Sequence, residues 1–68
     1  MTITRVPVQA IKKGMRVRLF NRVRGEHFVV RVVSDAKPST QVIRYWCFEA
    51  ANGIPYGAAV DETFEVVS

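Results

Sequence analysis

Apolar and polar residues alternate along much of the chain with the two-residue period of a β-strand. The alternation is clearest over residues 15–20, where the odd positions are apolar and the even ones hold two arginines and a phenylalanine, and over residues 27–33. Between them lies Gly25, a residue that can take the positive φ of a hairpin loop. The pattern predicts a β-hairpin from Met15 to Val33.

The length of the hairpin loop sets which residues face each other. A two-residue loop, Arg24-Gly25, places Leu19 opposite Val30, whereas a four-residue loop, Arg22 to Gly25, places Leu19 opposite Phe28. Both registers keep the apolar residues on one face, and a three-residue loop would mix the faces. In either register the second face is formed by Arg16, Arg18, Phe20, His27, Val29 and Arg31.

Further apolar segments predict more strands, separated by short turns. Pro7 lacks the N–H that a strand interior needs, so residues 1–9 predict an edge strand or an extended arm. Residues 34–39 are turn formers, and residues 40–51 are rich in β-branched and aromatic side chains, which favour a long strand. The fold prediction is all-β: residues 1–68 as one domain, a small, strongly bent, five-stranded antiparallel barrel.

Asn52-Gly53 is the strongest turn signal in the chain, because this dipeptide favours a type I′ turn with a two-residue loop. The register that follows places Phe48 over Gly57 and Trp46 over Ala59. Large side chains would then cover positions that have small ones.

The side on which Trp46 lies decides whether it belongs to the core or to a surface. If Trp46 points inward, as a core of this size favours, Arg44 pairs with Asp61 at the rim. If Trp46 points outward, Arg44, Trp46 and Phe48 form a basic and aromatic stripe.

The run from Val8 to Val17 resembles the entry into SH3-like barrels, including KOW-type modules. In this run Ile11 precedes the basic turn Lys12-Lys13, and Gly14 leads into a valine strand. Met15 stands where the family has an acidic residue. The resemblance implies an SH3-like barrel; an OB-type barrel is the alternative, although 68 residues leave little room for its helix.

The chain also resembles small plasmid-borne dihydrofolate reductases in its length and in its glycine-led strand, Gly14, Arg16, Val17 and Arg18. Those enzymes assemble one pore from several subunits and line it with a glutamine-aliphatic-tyrosine segment. Here Gln41, Ile43 and Tyr45 are interrupted by other residues. The resemblance implies an alternative role as a subunit of an oligomeric-pore reductase, with no catalytic residue carried over.

Charge is divided unevenly along the chain. The net charge is +4, yet all ten Lys and Arg residues lie in residues 1–44 with two acidic residues, while residues 45–68 hold four acidic residues and no basic one. This asymmetry indicates either a basic patch for an anionic partner or attraction between subunits.

Catalytic and metal chemistry find little support in the composition. A single histidine, His27, and a single cysteine, Cys47, provide half of the ligands that tetrahedral zinc takes, and no intramolecular disulfide can form. We therefore expect no enzyme, cofactor or metal site. The absence of a signal-peptide pattern and of a long apolar run predicts a cytoplasmic protein without membrane contact.

These observations predict a small, basic, non-enzymatic protein that binds nucleic acid, since arginines contact phosphates and exposed aromatic rings stack on bases. The expected binding residues are Arg16, Arg18, Phe20, Arg31, Arg44 and Trp46. The competing hypothesis is a protein-interaction or self-assembling module, a homo-oligomer whose apolar interface residues meet an acidic protein surface. In that hypothesis the interface centre is Phe20, Val29 and Val33, and the acidic surface is Asp61, Glu62 and Glu65. The small size suits an accessory protein of a phage, plasmid or other mobile element.

Overall fold

The computed structural model describes residues 2–68, which form seven β-strands and one short 3-10 helix. In chain order the elements are β1 (Ile3–Pro7), the 3-10 helix (Val8–Ala10), β2 (Arg16–Asn21), β3 (Glu26–Arg31), β4 (Lys37–Pro38), β5 (Tyr45–Glu49), β6 (Pro55–Ala59) and β7 (Thr63–Val67). Two antiparallel sheets result, ordered β1-β7-β2-β3 and β4-β5-β6. The all-β prediction is confirmed, but the strands divide between two sheets, so a single closed five-stranded barrel is not.

The core lies between the two sheets. Val17 of the four-stranded sheet and Phe48 of the three-stranded sheet belong to one buried cluster, and the rings of Phe48 and Phe64 meet edge to face across it at 5.3 Å. Val8 and Ile11 are fully buried beside it, where the 3-10 helix packs against β5 and β6. Ile11 is thus a core residue.

The β2–β3 hairpin has the four-residue loop, with Arg16 opposite Arg31. The side chain of Asn21 explains this length, because its Oδ1 accepts hydrogen bonds from the backbone N–H groups of Val23 (3.0 Å) and Arg24 (3.2 Å). Asparagine commonly stabilises a turn in this way. Of the two registers that the sequence leaves open, the structure has the one with the longer loop.

The β5–β6 hairpin is shifted by one residue from its predicted register, since Trp46 faces Ala58. Gly53 has a φ of +82°, but Asn52 does not have the positive φ that a type I′ turn needs. The Gly53 N–H donates instead to the Ala50 carbonyl, at 3.0 Å. The loop has three residues and one left-handed glycine, so the predicted type I′ turn is wrong.

Trp46 and Phe48 lie on the same side of β5, and the register shift changes only the β6 residues that lie opposite them. Trp46 packs against the buried cluster from the inner face of its sheet, which confirms the inward alternative. Gly57 is covered by Tyr45 rather than by Phe48: a Cβ at Gly57 would lie 2.7 Å from Tyr45 Cε1. The expected pairing of a large with a small side chain exists, but with a different aromatic residue.

The predicted long strand over residues 40–51 begins only at Tyr45. Ahead of it, the Ser39 hydroxyl oxygen accepts hydrogen bonds from the N–H groups of Gln41 and Val42, both at 3.1 Å. Arg44 has a φ of +59°, which ends extended structure on that side. Local hydrogen bonds of the serine thus override the β-propensity of the segment.

Candidate functional site

The face of the four-stranded sheet that points away from the core carries the arginines of the hairpin. We call this surface the arginine face; its members are Ile3, Arg5, Arg16, Arg18, Phe20, His27, Val29, Arg31, Glu65 and Val67. Strand alternation puts these residues on the side opposite the buried Val17 and Val30. Four arginines and one glutamate give the face a net charge of +3.

Arg16 and Arg31 are exposed and directly opposite each other. Because the Val32 N–H donates to the Met15 carbonyl (2.8 Å), the alternation of the ladder makes Arg16 and Arg31 a non-hydrogen-bonded pair, whose Cα atoms approach to about 4.5 Å. Within residues 2–68, neither guanidinium group forms an ion pair with a carboxylate. Two uncompensated positive charges therefore lie side by side at this end of the face.

Glu65 lies in the middle of the arginine face. It is the cross-strand partner of both Arg5 and Arg18, and its carboxylate is 3.6 Å from the Arg18 guanidinium. The sequence grouped Glu65 with Asp61 and Glu62 in a separate acidic surface, and that grouping is wrong. Asp61 and Glu62 lie in the turn before β7, whereas the pairing of β7 with β2 brings Glu65 among the arginines.

Phe20 and His27 form an exposed ring pair at the other end of the face. Their ring centroids are 4.9 Å apart with an interplanar angle of 64°, an edge-to-face arrangement. About half of Phe20 is open to solvent (53%), as is Val29 (49%). The β2–β7 pairing ends at Arg18, so beyond that residue β2 and β3 continue as a two-stranded ribbon. An aromatic surface is thus available next to the positive charges.

The structure brings together four of the six predicted binding residues, Arg16, Arg18, Phe20 and Arg31. Trp46 is not on this face, because it belongs to the three-stranded sheet and lies on the same side of β5 as the buried Phe48. Arg44 lies in the loop before β5, where its carbonyl accepts a hydrogen bond from the Val60 N–H at 3.0 Å. The predicted ion pair of Arg44 with Asp61 is not formed in the described part of the chain.

Two residues of the face escaped the sequence prediction. Ile3 and Arg5 were expected only in an edge strand or arm, and the structure confirms β1 as an edge strand of the four-stranded sheet. The alternation of residues 3–5 indicates that Ile3 and Arg5 share one side of a strand. It does not indicate the neighbouring strand, because β7 is about 60 residues away in sequence. Nothing local could place them beside the hairpin arginines.

Concave surfaces elsewhere are small. A cleft of about 340 Å³ lies between the turns of the β2–β3 and β5–β6 hairpins, with Phe28 and Tyr56 in its wall, and one of about 210 Å³ lies beside Cys47. Residues 2–68 contain no group of three or more His, Cys, Asp or Glu side chains placed to hold a metal ion. In the same range, no helix is both long enough and apolar enough to cross a membrane.

The segment that resembles the reductase pore is not a continuous strand. Gln41 and Ile43 lie in the exposed loop before β5, and Tyr45 begins that strand. The three side chains therefore do not share one strand face.

No family model, curated protein or solved structure matches the chain. The arginine face combines positive charge, exposed apolar side chains and an aromatic pair on one surface. These are the features from which we infer a function.

Proposed function

We propose that this protein is a small, non-enzymatic binding protein that holds nucleic acid on its arginine face. The observation that carries the proposal is the facing pair of exposed arginines, Arg16 and Arg31, without a carboxylate partner. Like charges directly opposite each other on a sheet destabilise it by a fraction of about 1 kcal/mol. A phosphate group bound between the two guanidinium groups would remove that repulsion and accept hydrogen bonds from both.

The surroundings of the pair support an anionic partner that extends beyond one phosphate. Arg18 and Arg5 continue the positive charge across the sheet, with Glu65 as the one opposing charge on the face. The exposed rings of Phe20 and His27 offer apolar contact at the far end. A polyanion with aromatic groups, which is what a nucleic acid is, complements both parts of this surface.

The test is a salt titration of binding with charge-matched variants. Binding of a fluorescently labelled oligonucleotide is followed by fluorescence anisotropy for the wild type, R16S/R31S and K37S/R44S. Each double variant removes two positive charges, but Lys37 and Arg44 belong to the three-stranded sheet and its loop. Net charge is thus equal in the two variants, and only its location differs.

We expect R16S/R31S to weaken binding strongly and to lower the slope of log K against log salt by about 0.7, the value for one lost phosphate contact of a single strand. K37S/R44S should keep the wild-type slope. If both variants lose the same amount of affinity, net charge alone attracts the oligonucleotide, and the proposal would be wrong. Absence of binding at low salt would also overturn it.

Self-assembly is the second candidate, because three large apolar residues on the arginine face are exposed: Ile3 at 42%, together with Phe20 and Val29. In this alternative the face is covered by another copy, or by a protein that presents acidic residues such as those of the exposed Asp61-Glu62 turn. An apolar-centred oligomer persists at high salt, whereas binding to nucleic acid weakens. Light-scattering mass at low and high salt separates the two candidates.

We also propose a more specific fold and a biological setting for the protein. An SH3-like topology is supported by the antiparallel sheets around one core and by the short 3-10 turn that buries Ile11. A cytoplasmic accessory role in a mobile element rests on small size and composition. A gene placed in a housekeeping operon would contradict the second interpretation.

A further inference from the structure

The charges and the rings of the arginine face are arranged along one pair of strands. Arg16 and Phe20 are four residues apart on β2, which is about 13 Å at the rise of a strand. Their cross-strand partners, Arg31 and His27, repeat this spacing on β3. The arginine pair and the ring pair therefore lie on one line, separated by the length of a few stacked nucleotides at about 3.4 Å each.

We propose that the arginine face binds single-stranded nucleic acid along this line, with one phosphate between Arg16 and Arg31 and one base stacked on Phe20. This inference rests on the proposed function and specifies its ligand. Phe20 is half exposed, and its contact with His27 is edge to face, so the two rings do not cover each other as stacked rings would. A free base can stack on an exposed ring, but in a duplex both faces of each base pair are already covered by its neighbours.

The width of the sheet argues against duplex readout by the arginine face. Four strands about 4.8 Å apart span about 14 Å between the outer backbones, before side chains are added. The major groove is about 12 Å wide and admits a helix or a two-stranded ribbon. The four-stranded part of the sheet, which carries Arg16, Arg18 and Arg31, would therefore meet a duplex through its phosphates alone.

The tip of the β2–β3 ribbon is the part of this surface that is narrow enough for a groove. Its loop carries Arg22 and Arg24, with the fully exposed Val23 (97%) between them. Arg24 is 3.6 Å from Glu26, which reduces its charge toward DNA. Insertion of this tip into a duplex would need these loop arginines and not the ring of Phe20, so the two binding modes separate by mutation.

The experiment measures dissociation constants by fluorescence anisotropy for a labelled oligothymidine of about ten nucleotides, which is within the site size of small single-strand binders. A duplex of equal length is the comparison. The variants are F20L, which keeps an apolar side chain but removes the π face, F20W, which keeps a ring, and R22S/R24S. Phe20 is a surface residue, and an unchanged far-ultraviolet circular dichroism spectrum confirms that each variant is folded, a readout that the second tryptophan of F20W does not obscure.

We expect the single strand to bind more tightly than the duplex. F20L should weaken single-strand binding by about 5- to 150-fold, the range for loss of one stacked base, while F20W restores it. Neither substitution should change duplex binding. If F20L changes the dissociation constant for the single-stranded oligonucleotide by less than twofold while R16S/R31S abolishes binding, the single-strand inference is wrong and the proposed function stands.

Two other outcomes would also overturn the inference. Duplex binding that is as tight as single-strand binding and is lost in R22S/R24S would assign recognition to the ribbon tip. If neither oligonucleotide binds the wild type at low salt, the proposed function and this inference fail together.

Discussion

Replacing Gly57 by alanine tests the register of the β5–β6 hairpin. A Cβ at Gly57 would lie 2.7 Å from the Trp46 carbonyl oxygen, 2.7 Å from Tyr45 Cε1 and 3.0 Å from Cys47 Cβ. The tyrosine ring can rotate away, but the carbonyl oxygen belongs to the backbone of β5 and can move only with its strand. We therefore expect G57A to destabilise the protein.

The magnitude follows from two opposing effects. Without a clash, alanine in a strand is more stable than glycine by about 0.5–1 kcal/mol, because glycine loses more backbone entropy on folding. Forcing an extra carbon into a packed site costs about 1–3 kcal/mol. The expected net loss is about 1.2 kcal/mol, or roughly 5–10 °C in Tm for a domain of this size. The sign of the change in the free energy of unfolding is enough to distinguish a crowded Gly57 from an open one.

The assay is urea unfolding followed by the emission of Trp46, a half-buried reporter in the core. The matched control is the same substitution in a Y45A background, where the ring contact is absent. There G57A should cost less, with the remaining loss due to the Trp46 carbonyl. If G57A is as stable as the wild type or more stable, the neighbours of Gly57 are not those of this register, and the shifted β5–β6 pairing would be refuted.

Three further predictions concern single side chains. E65Q removes the one carboxylate on the arginine face and should tighten oligonucleotide binding about fivefold at low salt, which is about 1 kcal/mol for unit charges 4 Å apart in water. The free energy of unfolding should change by less than about 1 kcal/mol, since Arg18–Glu65 is a surface pair. If anisotropy shows unchanged affinity, the arginine face is not the binding surface. R44G should be more stable than R44A by about 1 kcal/mol in urea unfolding, because the φ of +59° is strained for any residue with a Cβ. Equal stabilities of the two variants would show that Arg44 does not adopt this φ. Q9M should stabilise the protein by about 1 kcal/mol, because the buried Gln9 Oε1 has no hydrogen-bond partner among residues 2–68; a lower Tm for Q9M would reveal a partner for that oxygen.

Most of the arginine face could be predicted because it is formed within one hairpin. Alternation over residues 15–20 and 27–33 puts the same side chains together in either register with a clean apolar face. The choice between the two registers depends on the side chain of Asn21, whose hydrogen bonds support the longer loop. That preference lies in a turn and not in the strand pattern.

The second hairpin shows how one residue of loop length changes the partners of a strand. Asn52-Gly53 is compatible with a two-residue and with a three-residue loop, and the local sequence favours the shorter one. In the three-residue loop Trp46 lies opposite Ala58 rather than Ala59. Trp46 leaves the predicted binding set for another reason: it lies on the side of β5 that carries the buried Phe48, which agrees with the need of a small protein to bury its one tryptophan.

The amino-acid sequence by itself determined the all-β class, the positive charge and the grouping of Arg16, Arg18, Phe20 and Arg31, because a two-residue period assigns neighbours within a strand to faces. Tertiary structure alone decided that β1 and β7 extend this face with Arg5 and Glu65, and that residues 39–44 form a loop rather than a strand. The physical reason is that periodicity specifies the side of a strand on which a residue lies, whereas the strand beside it is selected by packing between segments that are distant along the chain.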